Sequence, residues 1–373
     1  MEHSLKGIVR DVHDFRLDAC RGIALWFVFL DHIPNNIAAW LTLRNYGFSD
    51  ASEVFVFISG YTCMIAYGAR LRQDGWPSTI RHAVRRSCEI YLAFLILFAS
   101  YLTLIWLIGG RFLDETNTAV LFQSPGSAML RALALQYTPV NTDILPTFVL
   151  LHLSVPALLW GLTTNAPATL LGSAGLYLAV QLWGLNAASW PRREWYFNPF
   201  AWQLLFVLGA WCALASAVVL RRIAMSRTAV VLAWLYLLFG LSVTLRWHVA
   251  PAAELLPASL VPLIYPIDKS SLDPLRVLHF LALVVVAARP LSRLDGNVPA
   301  RWMLPLIRCG RHSLIVFCLS VLLSFAGHVI LSKLHDAVVM QLVISATGIA
   351  LMVAVAAMLD RIGEIAAWQP RSL

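Results

Sequence analysis

Charge is what this chain has least of. Asp, Glu, Lys and Arg make up 13% of its 373 residues, about half the share of a soluble globular chain. So little charge excludes a soluble enzyme, and the composition equally excludes a disordered chain or a collagen-like fibre. Cysteine is sparse too. Cys20, Cys63, Cys88, Cys212, Cys309 and Cys318 lie mostly in or beside apolar runs, with no CxxC and no paired loop spacing. Neither a disulfide framework nor a zinc site follows, and no metal is expected. What is present is apolar: 59% hydrophobic residues, fourteen tryptophans and a mean hydropathy of +0.72. The class is a polytopic membrane protein. A net charge of +8 would point to nucleic acid in a soluble chain. Here it reflects the Lys and Arg that membrane proteins keep in cytoplasmic loops, and no nucleic-acid partner is expected.

A spanning helix needs about 20 mainly apolar residues. Ten candidates occur: 17–40, 53–70, 87–109, 143–163, 167–185, 199–220, 228–248, 274–289, 311–332 and 337–360. The first is not read as a cleaved signal peptide, because Gly22–Leu30 runs into Asp31-His32-Ile33-Pro34 without a small-residue cleavage site. With the N-terminus inside, the 28 Lys and Arg divide nineteen inside to nine outside. That bias places both termini in the cytoplasm and requires an even number of helices. The expectation is an all-α bundle of about ten spans, one domain over 1–373, with lipid as its surroundings. Asn198-Pro199 and Asp273-Pro274 read as helix starts. The outer stretch 110–142 predicts a short interfacial or re-entrant helix at Ser127–Gln136; 249–273, with four prolines, predicts neither helix nor flexible linker. No internal repeat or separate soluble domain is visible, and the sequence leaves homo-oligomerisation open.

Ionisable groups inside spans cost several kcal/mol and are functional candidates by default. They are Asp31, His32, Glu53, Glu89, Asp143, His152, Arg276, His279 and His328. Lone His152 and His328 read as packing histidines. Glu89 reads as a local ion pair with Arg85 and Arg86, and Trp40, Trp76, Trp106, Trp190 and Trp195 as an interface belt. His32 stands out. Arg21 precedes it by eleven residues, roughly three turns plus 20°, so the two share a face about 16 Å long. One end offers a guanidinium for an anionic group, the other an imidazole for proton transfer. Asp31 diverges from His32 by about 100°, so Glu53 or Asp143 is the better carboxylate to orient the ring. A buried structural Asp–His contact is the plainer alternative. A second cluster, Lys269, Arg276 and His279, lies at the outer end of the span at 274–289, with Arg276 and His279 on one face. Asn198, Trp202 and Gln203, on the same side, suit either sugar stacking or an interface belt.

The stretches RLDACRGIALWFVFLDHIPNN (16–36), GFSDASEVFVFISGY (47–61), DILP (143–146), FNPFAWQLLFVLG (197–209), DKSSLDPLRVLHFLAL (268–283) and GRHSLIVFCLS (310–320) resemble the OpgC-like osmoregulated periplasmic glucan succinyltransferases, related to the acyltransferase type 3 superfamily. The superfamily's Arg-ten residues-His spacing is matched by Arg21 and His32. The resemblance implies a cytoplasmic acyl-CoA donor, succinyl-CoA in the first instance, and a sugar acceptor reached from the periplasm. It makes His32 the essential histidine and lets Arg21 help hold the CoA. One departure is visible: where the superfamily often has Arg-x-x-Arg before Ile-Tyr, this chain has Glu89 at the second arginine.

The expected reaction is O-acyl transfer to a glucan hydroxyl, with CoA phosphates among Arg21, Arg85, Arg86 and Arg311. His32 acts as general base, worth about 10²–10⁴ in rate, and Glu53 or Asp143 fixes its tautomer. A route through an acyl-histidine uses the same residues. Lys269 or Arg276 is expected to meet the carboxylate of a succinyl group. The rival reading is a secondary transporter relaying protons or ions through Asp31, His32, Asp143 and Arg276, although no pair of matching interrupted helices marks inverted repeats.

Overall fold

The computed structural model describes residues 14–108, 112–191, 193–215, 226–248, 261–293, 300–334 and 337–368. The long helices are α1 (Phe15–Asp31), α2 (Ala51–Ile108), α3 (Pro125–Leu133), α4 (Ile144–Trp183), α5 (Pro199–Leu214), α6 (Arg227–His248), α7 (Pro274–Arg293), α8 (Leu304–Arg311), α9 (Ser313–Lys333) and α10 (Val338–Trp368). Six helices among the described residues are long and apolar enough to cross a membrane: α2, α4, α6, α7, α9 and α10. On α6 alone Val231, Leu232, Trp234, Leu235 and Leu238 are exposed. Such a continuous apolar face suits lipid rather than water. The chain is a helical, multi-pass membrane protein.

Two helices are longer than any bilayer. Straight, the 58 residues of α2 would run about 87 Å, against an apolar slab of about 30 Å. Each of the two is broken. Gly75 takes φ 76°, a left-handed conformation open to glycine, and Pro77 starts the next rod. Within α4, Asn165 turns extended and its side chain accepts the Ala168 N–H at 3.0 Å, capping a second rod that has Pro167 in its first turn. These breaks fall between the spans expected at 53–70 and 87–109, and between those at 143–163 and 167–185.

Four local expectations are corrected. α1 stops at Asp31 and His32 is its C-cap, not the outer half of a span reaching 40. The cause is Pro34, which disfavours helix at the residue before it; single 3₁₀ turns follow at Ile37–Leu41 and Leu43–Asn45. The short helix of the 110–142 stretch starts at Pro125 and ends at Leu133, two to three residues earlier than expected. Within 249–273, Val261–Ile264 forms one helical turn, while 249–260 lies outside the described residues. A two-stranded antiparallel ribbon, Ala188–Ser189 with Arg193–Glu194, interrupts the all-α pattern.

The proline starts hold: Asn198 accepts the Phe200 N–H at 3.0 Å and Asp273 accepts the Leu275 N–H at 2.8 Å. The core lies where α2, α4 and α5 cross, with Trp202, Phe206, Phe94, Leu97 and Leu159 almost fully buried. α2 and α5 approach so closely that a Cβ on Gly60 would meet the Phe206 carbonyl, and one on Gly209 the Phe57 carbonyl. α1 packs on α8 and α9 beside this core, and α6 pairs with α7 at its edge.

Candidate active site

Two cavities lie along α1. The first, about 500 Å³, is lined by Asp18, Arg21, Arg86, His152 and Arg311 among others. Arg311 and Arg21 flank Asp18 at 3.6 and 3.8 Å, and Arg21 also donates to the Thr62 hydroxyl. Arg86 reaches Glu89 at 3.0 Å and Arg85 reaches it at 3.1 Å, the local pairing expected for Glu89. Arg85 is exposed and is not part of the cavity wall. Asp14 and Asp360, also in the wall, pair with Arg16 and Arg308. Arg21, Arg86 and Arg311 therefore stand against Asp18 and Glu89, a positive surplus suited to phosphate.

His152 is a buried histidine with both ring nitrogens partnered, and it also lines this cavity. Its Nδ1 donates to the Phe148 carbonyl at 2.9 Å, which leaves Nε2 to accept from the Cys63 thiol at 3.4 Å, in the wall of this same cavity. His328 pairs with Glu115 at 2.9 Å, away from both cavities.

The second cavity, about 1150 Å³, holds Asp31, His32, Asp50, Asp143, Lys269 and Arg276 in its wall. It is large enough for a sugar unit and an acyl chain together. Phe55, Ile144 and Phe317 line both cavities, so these three side chains form the septum between them. Phe55 meets Phe148 edge-on at 5.7 Å and Phe317 at 6.4 Å between ring centroids. Arg21, in the second turn of α1, opens to one side of the septum and His32, its C-cap, to the other.

The His32 Nδ1 is buried without a hydrogen-bond partner among the described residues. A buried orphan of this kind costs about 1–3 kcal/mol, and here it lies on a residue that lines the cavity. No hydrogen bond joins it to the carboxylates expected to orient it. Asp31 accepts from the Thr42 hydroxyl at 2.7 Å, and Asp143 accepts from the Thr138 hydroxyl. Glu53 is fully buried and engaged with Arg276, whose Nε lies 2.8 Å and whose terminal nitrogen lies 2.5 Å from its Oε1.

Asp50, not among the charges expected to matter, anchors the ionic cluster. It accepts from Lys269 at 2.7 Å and from Arg276 at 3.1 Å. Burial alone would push its carboxyl up; Lys269 and Arg276 outweigh that and hold it well below the usual carboxylate range. Its side chain also accepts the Ser52 N–H, while Glu53 reaches back to the Asp50 N–H, both at 2.8 Å. This is a capping box, and Asp-x-x-Glu at 50–53 was its signal in the sequence.

The sugar-facing roles expected of three residues are corrected. Asn198 and Trp202 are fully buried and cannot touch a ligand. Asn198 donates to the Leu185 carbonyl at 2.6 Å, and the Trp202 indole donates to the Ser270 carbonyl at 3.1 Å. Gln203 bonds the backbone and hydroxyl of Ser173. Asn198 and Trp202 fix the loop that carries Lys269, whose ammonium lies 5.5 Å from the centre of the Phe197 ring. His279 is likewise enclosed. Its Nδ1 bonds the Ser49 hydroxyl at 2.7 Å, and its ring packs against Gly47, Gly240 and Phe48, away from the cavity.

No curated protein and no solved structure matches the chain. A family model does, the one described as OpgC protein, and it matches residues 13–364. That stretch contains both cavities, the septum and every residue discussed above, and the family points to a glucan-modifying enzyme of the acyltransferase type. The chain therefore belongs to the OpgC protein family.

Proposed function

We propose that the protein moves an acyl group, succinyl in the first instance, from cytoplasmic acyl-CoA to a hydroxyl of a periplasmic glucan. One observation carries this reading: an arginine-lined cavity and a histidine-lined cavity meet at a septum of three apolar side chains. In a bacterial inner membrane the chain makes ten crossings with both termini in the cytoplasm. This counts the two rods of α2 and of α4 separately and includes α1 and α5. The arginine cavity then opens inward and the histidine cavity outward, a direction supported by the nineteen-to-nine division of Lys and Arg.

The phosphates of CoA sit among Arg21, Arg86 and Arg311. Its pantetheine arm follows α1 past the septum and brings the thioester to His32. The neutral imidazole accepts the proton of the glucan hydroxyl as that oxygen forms a bond to the thioester carbon. The tetrahedral intermediate then breaks the carbon–sulfur bond, and the departing thiolate takes the proton back from His32. Holding donor and acceptor on one axis turns a two-body encounter into an oriented one.

Purified protein in detergent, given labelled succinyl-CoA and a periplasmic glucan fraction, tests the reading. Labelled glucan from wild type, and a 10²–10⁴-fold slower rate from a folded His32→Ala variant, is the expected result. Undiminished transfer by that variant removes His32 as the base. No transfer from succinyl-CoA or acetyl-CoA, together with no stabilisation by CoA, favours a transporter instead.

A further inference from the structure

The cations first expected to meet a succinyl carboxylate are already occupied. Arg276 spends its guanidinium on Glu53 and Asp50, and Lys269 shares Asp50 with it. Two buried carboxylates against two cations leave no charge over for a ligand, and breaking such pairs is costly.

One other cation lines the histidine cavity. Arg44 is exposed, and no carboxylate of the described residues lies within ion-pair distance of it. Its guanidinium donates at 3.2 Å to the backbone carbonyl of Asp31, the residue joined to His32. The Asp31 carboxylate does not pair with it and accepts from Thr42 instead. The loop that carries Arg44 is pinned throughout. Asn36 caps its first turn and bonds Ser345, Asn45 donates to the Ala39 carbonyl at 2.7 Å, and the Tyr46 hydroxyl donates to the Trp40 carbonyl at 2.5 Å. A planar donor fork is thus held within one residue of the imidazole, with most of its N–H groups unspent.

We infer that Arg44 binds the free carboxylate of a dicarboxylic acyl group while the thioester carbon lies at His32, and so sets the preference for an anionic over a neutral acyl chain. The inference rests on the transferase reading above. It identifies a specificity residue and assigns Arg276 and Lys269 to the architecture of the site.

The test compares kcat/KM for succinyl-CoA and for butyryl-CoA, which has the same number of acyl carbons and no carboxylate, in wild type, Arg44→Ala and Arg44→Lys. CoA binding serves as the check on folding. Arg44→Ala is expected to lower the succinyl-to-butyryl ratio roughly ten- to a hundredfold, the range of a lost charge-assisted hydrogen bond. Arg44→Lys is expected to restore part of it, since the charge remains and the fork does not. An unchanged ratio in Arg44→Ala, including an equal fall with both donors, overturns the assignment and leaves the transferase reading standing. A wild type that transfers neither acyl group overturns both.

Discussion

The ion cluster at the mouth of α2 separates side chains that hold the site from side chains that line it. Glu53 is fully buried and Arg276 nearly so, so removing either partner strands a charge. Glu53→Gln or Arg276→Met is expected to destabilise by about 3–5 kcal/mol, while the double variant costs less than the sum. Thermal unfolding in detergent reads this; a midpoint unchanged in either single variant would refute the pairing. On the other side of the septum, Arg86 and Arg85 both touch Glu89, yet only Arg86 faces the cavity. Titration with CoA is expected to show binding weakened roughly tenfold by Arg86→Ala and nearly unchanged by Arg85→Ala. Equal losses would show that the cavity wall does not decide which arginine binds. The sequence marked Glu53 and Arg276 as charges that an apolar span would not carry without cause. It could not pair them across 223 positions. Asn198 and Trp202 were legible only as polar groups at a helix start, because the direction a side chain faces depends on the neighbouring loop.

Among the elements, α2 and α5 owe their contact to glycine on both sides. Gly60→Val or Gly209→Val places atoms where a carbonyl already lies, at a cost of about 1–3 kcal/mol or more. Reduced yield of folded protein and a lower melting point are expected, and a fully stable Gly60→Val would contradict the close crossing. The breaks at Gly75 and Asn165 coincide with gaps in the apolar pattern, where Pro77 and Pro167 announce new helix starts. The early end of α1 was harder to see. Apolar residues continue through Ile37, Ala38 and Trp40, and hydropathy does not distinguish a helix from the 3₁₀ turns that Pro34 enforces. That ending places His32 at a cap, where its ring meets a cavity instead of lipid.

At the scale of the whole molecule, the proposed reaction needs its two cavities on opposite sides of a membrane. Reporter fusions at Leu373 are expected to report a cytoplasmic C-terminus, and a periplasmic signal would reverse the assignment of the two cavities. Helical class and membrane character were legible from composition, because 59% apolar residues cannot be covered by so few charges. The septum was not, since Phe55, Ile144 and Phe317 come from three distant helices and each looks like any other core residue. The most direct test of transfer across that septum uses sealed proteoliposomes in one orientation, with the glucan enclosed on the periplasmic face and labelled succinyl-CoA supplied on the cytoplasmic face. Labelled glucan is expected inside the vesicles with wild-type protein, and almost none with His32→Ala or when the donor is supplied only on the acceptor side. Label that accumulates at the same rate from either face, or with His32→Ala, would contradict the proposed reaction.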